Sequence, residues 1–305
     1  MTVVDSPETR SAVTPAFQRI SGARRAKDWL ATVLVTLAFA VAIVPLAWLL
    51  YTVVARGYRA IIAANWWQKS LKGVLPEQFN GGVYHAIYGT LVQGLLCAVI
   101  AVPVGVLAAV YLVEYGGNGR LARATTFVVD ILSGVPSIVA ALFVFAVWIS
   151  TFGFSQSAFA VSLALVLLML PVVVRSSEEM LRLVPDELRE ASYALGVPKW
   201  KTIARIVLPT ALSGMVTGVM LALARVMGET APVLVLVGYS RSINYDVFDG
   251  NMASLPLLIY TELTNPEAAG VQRVWGAALT LIIVIMFFNL LATIISRLSA
   301  VKIRP

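Results

Sequence analysis

Apolar residues recur along the chain in six long runs, separated by polar and charged segments. Each run holds about 20 residues or more, the length that a helix needs to cross a hydrocarbon core of roughly 30 Å. A membrane β-barrel would instead show short segments in which apolar and polar residues alternate. The pattern therefore predicts six transmembrane helices, near residues 29–54, 87–113, 127–150, 157–175, 209–237 and 274–297.

The composition is that of a membrane protein rather than a soluble domain. Hydrophobic residues make up 59% of the chain and charged residues 13%, and the mean hydropathy is +0.85. A single soluble core could not bury that much apolar surface. We therefore predict an all-α polytopic membrane protein, in which residues 1–28 form a flexible polar tail and residues 29–305 form the transmembrane domain.

The distribution of charge orients the predicted helices. The net charge is +7, and most basic residues lie in the segments on one side of the membrane. By the positive-inside rule this side is the cytoplasm, with both termini inside. These residues lack the interleaved aromatic residues of a surface that binds nucleic acid, so we expect lipid as a partner and no nucleic acid.

Two longer loops are expected on the outer side. The loop at about 55–86 contains Trp66 and Trp67, which favour an anchor at the lipid headgroups over a contact with a partner protein. The loop at about 238–273 is long enough to form a surface of its own.

Residues with catalytic or metal-binding chemistry are sparse. Cys97 lies within the second apolar run and His85 just before it, which leaves no disulfide framework and no metal site built from protein ligands. No nucleophile has a plausible base nearby, and the chain lacks the Gly-x-x-x-x-Gly-Lys-Ser/Thr loop that binds nucleotide phosphates. We expect no catalytic residue, no metal and no cofactor bound by this chain.

The segment 176–208, between the fourth and fifth runs, predicts two short helices joined by a bend. Pro185 followed by Asp186 and Glu187 is typical of a helix start, and Gly196 of a helix end. The spacing places small and apolar residues on one face of the first helix: Leu188, Ala191, Ser192 and Leu195. Periodicity alone fits either an ordinary helical loop or a docking surface for another protein.

A spaced motif in this segment resembles the signature of the membrane subunits of ABC importers. The signature reads Glu-Ala-Ala, three residues, Gly, nine residues, Ile-x-Leu-Pro, and a serine stands here at its third position. The matching residues are Glu190, Ala191, Ser192, Gly196, Ile206, Leu208 and Pro209. The resemblance implies the type I permease fold, a coupling helix that docks into an ATPase subunit, and ATP hydrolysis by that partner.

The fifth apolar run contains two charges. Arg225 lies 16 residues beyond Pro209, a helical rise of roughly 24 Å that places it well within the bilayer. Glu229 would share its face on a continuous helix. Two interpretations remain open: a structural ion pair, or an arginine whose planar fork of donors binds an oxyanion while Glu229 limits its affinity. Gly214 and Gly218 predict tight helix packing.

The run from Arg225 to Pro232 resembles the PstA-like permease subunits of phosphate-specific ABC importers, as do stretches near Asp130 and Tyr193. The resemblance covers roughly residues 80–300. It implies passage of inorganic phosphate past Arg225 and Arg175, and the functional interpretation above adds Glu229 to this path. It also implies a bacterial cytoplasmic membrane, a PstC-like permease partner, two PstB-like ATPase subunits and a PstS-like phosphate-binding protein.

Other functions remain open at this level. The permease of another oxyanion, molybdate or sulfate, would use the same arginine fork. An ATP-independent anion carrier would need no coupling motif. Arg175 is equally well interpreted as a positive anchor at the membrane edge, and Asp130 as a helix-start or packing residue outside the site.

Overall fold

The computed structural model describes residues 22–299, and the chain divides into two compact units, residues 1–52 and 53–305. Within the described range the α-helices are α1 (Gly22–Ile61), α2 (Ala64–Gln68), α3 (Tyr84–Val110), α4 (Arg120–Ser133), α5 (Ser137–Val144), α6 (Ala158–Arg182), α7 (Asp186–Ala194), α8 (Lys199–Thr202), α9 (Leu208–Met227), α10 (Ala231–Leu236), α11 (Leu255–Glu262) and α12 (Ala268–Ser299). Helices α3, α5 and α8 continue into π-helical turns at Tyr111–Tyr115, Phe145–Thr151 and Ile203–Val207.

In the first unit, the described residues form the apolar N-terminal part of α1. Its large side chains, such as Trp29, Phe39 and Trp48, are exposed along the helix. The helix begins at Gly22, so the last residues of the predicted flexible tail are helical, while residues 1–21 lie outside the described range. An exposed apolar helix of this kind has to be covered by lipid or by another membrane subunit.

The six predicted spans correspond to helices of the structure. Residues 22–299 contain five helices that are long and apolar enough to cross a membrane, and a sixth span if α4 and α5 are counted together. Helix α6 continues to Arg182, beyond the predicted end of the fourth span, so the predicted loop 176–208 starts with seven helical residues. The all-α class predicted from the apolar pattern is confirmed.

Two of the predicted spans are interrupted rather than continuous. The predicted third span breaks between Ser133 and Ser137, where α4 and α5 meet at 109°. Pro136 accounts for this break, because proline has no N–H to donate and disfavours helical backbone in the residue before it. The predicted fifth span breaks after Met227, and α10 starts only at Ala231. An apolar pattern cannot show these breaks, since the residues on both sides remain apolar.

Helices α3, α6 and α9 pack together at the centre of the second unit. The glycines of α9 permit this packing: a β-carbon on Gly214 would lie 2.1 Å from Met180 Sδ, and one on Gly218 would lie 2.4 Å from Ser176 Oγ. The tight helix packing predicted for these glycines is therefore confirmed. The contacts also place Gly218 at the same level along the bundle as Ser176.

A buried ion pair joins α11 to α12, at the end of the second unit that lies opposite α7. Arg273 Nη1 donates to Glu262 Oε2 at 2.9 Å, and both side chains are only 2% exposed. The same guanidinium donates to backbone carbonyl oxygens of Leu75, Pro76 and Gln78. This arginine therefore fixes the loop after α2 onto α11 and α12.

The two tryptophans of the first outer loop have different environments. Trp66 is buried, and its Nε1 donates to Thr280 Oγ1 at 2.9 Å. Trp67 is partly exposed, and its Nε1 donates to the carbonyl oxygen of Ile61. The predicted headgroup anchor is wrong for Trp66, because the α12 helix offers its indole a buried partner that the local sequence does not reveal.

Candidate functional site

The segment between α6 and α9 forms a compact helical hairpin. Helix α7 starts after Pro185 with two acidic residues in its first turn, as predicted. Gly196 follows the helix with a φ of +74°, in the left-handed region. The N–H of Val197 donates to Ser192 O at 3.2 Å, and that of Gly196 to Tyr193 O at 2.9 Å. This pair of bonds is the Schellman motif, which confirms Gly196 as the helix stop.

Ser192 connects the two arms of the hairpin. Its Oγ lies 2.8 Å from Thr202 Oγ1 on α8, and both residues are buried. By residue type alone, the serine is only a small replacement for the alanine of the signature. The structure gives its hydroxyl a buried hydrogen-bonding partner on the second arm.

The outer edge of the hairpin is exposed and partly apolar. Glu190 and Ala191 are exposed, as is Trp200, and Leu195 is 83% exposed. The residues of the predicted face of α7 therefore differ in environment: Ser192 is buried and Leu188 packs against the core, whereas Ala191 and Leu195 are exposed. The remaining signature residues are half-buried where the hairpin joins α9: Ile206, Leu208 and Pro209.

Arg189 attaches this hairpin to the membrane helices, a role that the sequence does not indicate. Its Nε and Nη2 donate to Glu114 Oε1 at 3.0 and 2.9 Å, and both side chains are nearly buried. Its guanidinium also donates to Val184 O at 2.7 Å and Leu181 O at 3.0 Å, just after and within the last turn of α6. Lys199 donates to the Glu114 carbonyl oxygen as well. One arginine therefore connects α7 to the ends of two central helices.

The two charges of the predicted fifth span do not form the ion pair that was one of their interpretations. Helix α9 ends at Met227 with Gly228 as its C-cap, so Arg225 and Glu229 do not share one helix face. Arg225 is exposed and has neither an ion pair nor a hydrogen bond to its side chain within residues 22–299. A free guanidinium on an apolar helix is costly unless it faces water, a ligand or another subunit.

Glu229 lies in the break between α9 and α10. It is half-buried and lines a cavity of about 10 Å³ together with Thr90, Gln93 and Ser254. The Nε2 of Gln93 is buried and has no hydrogen-bonding partner among the described residues. The carboxylate therefore lines a cavity with one unpaired amide on α3, and it forms no ion pair with Arg225 within the described residues.

Arg175 pairs with two carboxylates. Its Nη2 pairs with Asp130 Oδ1 at the end of α4, and its Nη1 with Glu178 Oε2 at 3.0 Å. Arg182 pairs with the other oxygen of Glu178 at 2.8 Å. Asp130, which the sequence analysis left outside the site, therefore directly contacts one of the predicted site residues. A sequence signal for it exists, since a lone acid in an apolar run needs a partner.

The two arginines lie at different depths in the bundle. Gly218 is level with Ser176, and Arg225 lies seven residues further along α9. At 1.5 Å per residue, Arg225 is displaced by about 10 Å from the level of Arg175, away from α7. No group of three or more potential metal ligands is found in the range that the structure describes.

Comparison with known families and proteins gives a consistent result. Residues 101–305 match the family described as "Binding-protein-dependent transport system inner membrane component". The chain is 70% identical to "Phosphate transport system permease protein PstA 1" of Mycobacterium tuberculosis (strain CDC 1551 / Oshkosh), covering 92% of this chain and 91% of the relative. It is 37% identical to the PstA permease protein of Yersinia pestis, covering 89% and 90%.

Solved transporter structures share the fold. A bacterial alginate ABC transporter, solved with an alginate-bound periplasmic protein, aligns with a TM-score of 0.62 at 15% identity and covers 90% of this chain and 96% of its own. The inward-facing MetNI methionine ABC transporter aligns with a TM-score of 0.57 at 24% identity, covering 72% and 94%. The type I permease fold is thereby confirmed. The chain belongs to the family of binding-protein-dependent inner membrane transport components and, within it, to the PstA-type permeases.

Proposed function

We propose that this chain is the permease subunit of an ATP-driven importer that carries inorganic phosphate across a bacterial cytoplasmic membrane. The relatives at 70% and 69% identity are named as phosphate transport permeases. The observation on this chain that supports an anionic substrate is the exposed guanidinium of Arg225, which has no partner within the described range. An arginine fork matches the geometry of a phosphate oxygen pair.

Glu229 favours phosphate over sulfate and molybdate. Phosphate near neutral pH retains a proton that can be donated to a carboxylate, whereas sulfate has none. A half-buried carboxylate beside the path would remain unpaired and repel a fully ionised anion, and such a mismatch lowers affinity more than a lost contact does. The permease of another oxyanion therefore remains the second candidate, with weaker support.

Arg175 supplies a second anion contact deeper in the bundle. The path would start at Arg225, near the end opposite α7, and reach Arg175 about 10 Å further on. Asp130 and Glu178 now occupy the donors of Arg175. A phosphate arriving there would replace the carboxylate of Asp130, which is the more exposed of the two acids. Exchange of one anion for another keeps the guanidinium paired throughout.

The hairpin between α6 and α9 is the docking surface for the ATPase. Its exposed edge offers Glu190, Ala191 and Leu195 to a partner, and Gly196 gives the bend that presents them. Half-buried Ile206, Leu208 and Pro209 join this edge to α9, which carries Arg225. Movement of the ATPase would therefore reach the substrate path through one helix. This arrangement argues against an ATP-independent carrier.

The complex would contain four kinds of subunit. A PstC-like permease would pair with this chain, two PstB-like subunits would hydrolyse ATP, and a PstS-like protein would deliver phosphate. The exposed apolar part of α1 offers a surface for the second permease or for lipid. Both termini and the hairpin would face the cytoplasm, because most basic residues lie on that side.

The experiment is uptake of labelled phosphate into proteoliposomes that contain this chain with its partner subunits and the phosphate-loaded binding protein. Uptake should require ATP, persist in excess sulfate and molybdate, and disappear in Arg225→Gln. The matched control is Lys72→Gln, which removes an exposed cation outside the apolar helices. Uptake without ATP would indicate a carrier, and competition by sulfate or molybdate would indicate another oxyanion.

A further inference from the structure

A cleft of about 310 Å³ opens between the last turns of α1 and the first turns of α12. It lies at the end of the second unit opposite α7, and it is outside the proposed phosphate path. Its walls combine two arginines with aromatic and amide side chains: Arg56, Arg59, Tyr58, Trp275 and Gln272. Such a combination is suited to an anionic ligand.

Each arginine is oriented by an aromatic neighbour that leaves donors free. The guanidinium of Arg56 lies over the Trp275 ring, 5.1 Å from its centroid. The Arg56 side chain forms no hydrogen bond or ion pair within residues 22–299, so its N–H groups stay available for a ligand. Arg59 Nε donates to Tyr58 Oη at 3.2 Å, which leaves its two terminal nitrogens free. Both side chains therefore have an aromatic neighbour and still have N–H donors available for a ligand.

The two positive charges lack an acidic counterpart. Arg56 and Arg59 are one helical turn apart, where like charges repel each other. Neither pairs with a carboxylate in the part of the chain that the structure describes. Of the other basic residues at this end, Arg273 is neutralised by Glu262. An external anion bound between the two guanidiniums would relieve their repulsion.

The floor of the cleft is rigid because the two helices touch. A β-carbon on Gly57 would lie 2.6 Å from the carbonyl oxygen of Trp275, and one on Gly276 would lie 2.5 Å from Ala60 Cβ. Close packing at these glycines holds Trp275 against the last turns of α1. This packing places Trp275 within reach of the Arg56 side chain.

We propose that this cleft binds the phosphodiester headgroup of an anionic phospholipid. The position of the cleft favours a lipid over a soluble anion, because the cleft lies where the long apolar helix α1 ends and the apolar helix α12 begins. Exposed Val54 and Val271 flank the arginines and offer apolar surface to the adjoining acyl chains. Tyrosine, tryptophan and arginine together are typical of the headgroup level. The site would tether the outer end of α1 to the membrane.

The test uses the assembled transporter in nanodiscs of phosphatidylcholine with increasing phosphatidylglycerol. Retained lipid is counted by native mass spectrometry, and the midpoint of thermal unfolding is measured in the same samples. Wild type should retain phosphatidylglycerol and be stabilised by it. Its apparent affinity should fall about five-fold for each arginine removed in Arg56→Gln and Arg59→Gln, as expected for about 1 kcal/mol per basic residue at an anionic surface.

The matched control is the double variant Lys69→Gln and Lys72→Gln, which removes two exposed cations with the same spacing at the same end. It should retain the lipid as wild type does. Trp275→Leu keeps both charges and should weaken retention by loss of the stacking partner. Unfolding midpoints in pure phosphatidylcholine show whether each variant is folded.

Three results would overturn the proposal. The first is unchanged lipid retention after both arginines are replaced. The second is equal stabilisation of the wild type by millimolar inorganic phosphate without anionic lipid, which would identify a soluble anion as the ligand. The third is loss of binding of the phosphate-binding protein with lipid retention intact, which would identify a protein contact. Phosphate uptake is a separate readout, so failure here leaves the proposed transport function untouched.

Discussion

Glu114 Oε1 accepts two hydrogen bonds from Arg189, at 3.0 and 2.9 Å, and this pair connects the docking hairpin to the end of α3. Glu114 lies in the π-helical turn that extends α3, and Arg189 lies in the middle of α7. The exposed fraction is 5% for the glutamate side chain and 13% for the arginine. A shift of α7 on the proposed ATPase partner would therefore move the end of α3 directly.

The first prediction concerns this pair as a positioning contact. Glu114→Gln leaves a nearly buried guanidinium without its buried counter-charge, with only the exposed Asp186 remaining, and losing one partner of a buried pair costs roughly 3–5 kcal/mol. Phosphate-stimulated ATP hydrolysis should fall strongly. Asp186→Asn is the control, because Asp186 also pairs with Arg189 but is largely exposed, and such pairs contribute about 1 kcal/mol or less.

A stability effect can be separated from a coupling effect. The double variant Glu114→Gln with Arg189→Met removes both charges and should regain much of the unfolding midpoint, since two neutral groups leave no buried charge unpaired. Its phosphate-stimulated ATP hydrolysis should stay low, because the contact between α7 and the end of α3 is still missing. Recovery of coupling together with stability would show that the pair only holds the fold together.

The second prediction concerns Gly196. A side chain at this residue would meet open space, since no heavy atom lies within 4 Å of an added β-carbon. The loss of stability on substitution therefore comes only from the φ of +74°. Gly196→Val should cost about 1–2 kcal/mol and distort the bend that presents the docking edge. We expect ATP use without uptake in this variant.

The matched control for the bend is Gly196→Asn, because asparagine tolerates the left-handed region. The asparagine variant should keep near-normal coupling between ATP hydrolysis and phosphate uptake. Both rates are measured in the same proteoliposomes. Phosphate uptake coupled to ATP hydrolysis as in the wild type would, in the valine variant, refute the role of the bend.

Much of this architecture could be predicted from the sequence, because the apolar runs and the turn residues act locally. The spans, the start of α7 at Pro185 and its stop at Gly196 all follow from short-range chemistry. The breaks after Ser133 and Met227 could not be predicted from an apolar pattern that continues across them.

The polar contacts were the other part that the sequence did not reveal. Glu114 and Arg189 are 75 residues apart, and Arg175 and Asp130 are 45 residues apart. Their pairing depends on how α3, α4 and α6 pack, and no local pattern encodes it. Ser192 illustrates the same limit on a smaller scale, since its hydroxyl gains a function only through Thr202 on the neighbouring arm.

The third prediction concerns the buried pair at the opposite end. Arg273→Gln removes the cation that neutralises Glu262 and that fixes the loop after α2. We expect a loss of roughly 3–5 kcal/mol, measured as a lower unfolding midpoint of the assembled transporter. Arg241→Gln is the control, because that residue is exposed and donates a single bond to a backbone carbonyl. An unchanged midpoint for Arg273→Gln would contradict the anchoring role.

The fourth prediction separates a structural role of Arg175 from a role on the phosphate path. Asp130→Arg or Arg175→Asp alone places like charges together and should destabilise the transporter. The exchanged pair restores opposite charges between residues 130 and 175 and should recover part of the unfolding midpoint, because the new carboxylate on α6 still faces Glu178. Phosphate uptake should remain low in the exchanged pair, because the cation now projects from α4 instead of α6. Full recovery of uptake would mean that the pair serves only to stabilise the break region.

The fifth prediction concerns the carboxylate of Glu229 as the group that distinguishes phosphate from sulfate. Glu229→Gln removes the repulsion of a fully ionised anion and can donate a hydrogen bond to it. Sulfate should then compete with phosphate uptake, and the phosphate concentration for half-maximal uptake should change by about ten-fold, as expected for one charged hydrogen bond of roughly 1.5 kcal/mol.

Arg225→Lys is the companion variant: it keeps the charge but loses the fork, so uptake should weaken without any gain in sulfate competition. If sulfate still fails to compete after Glu229→Gln, discrimination must arise elsewhere on the path or in the binding protein. If instead Arg225→Lys alone admits sulfate, the arginine rather than the glutamate sets the selectivity.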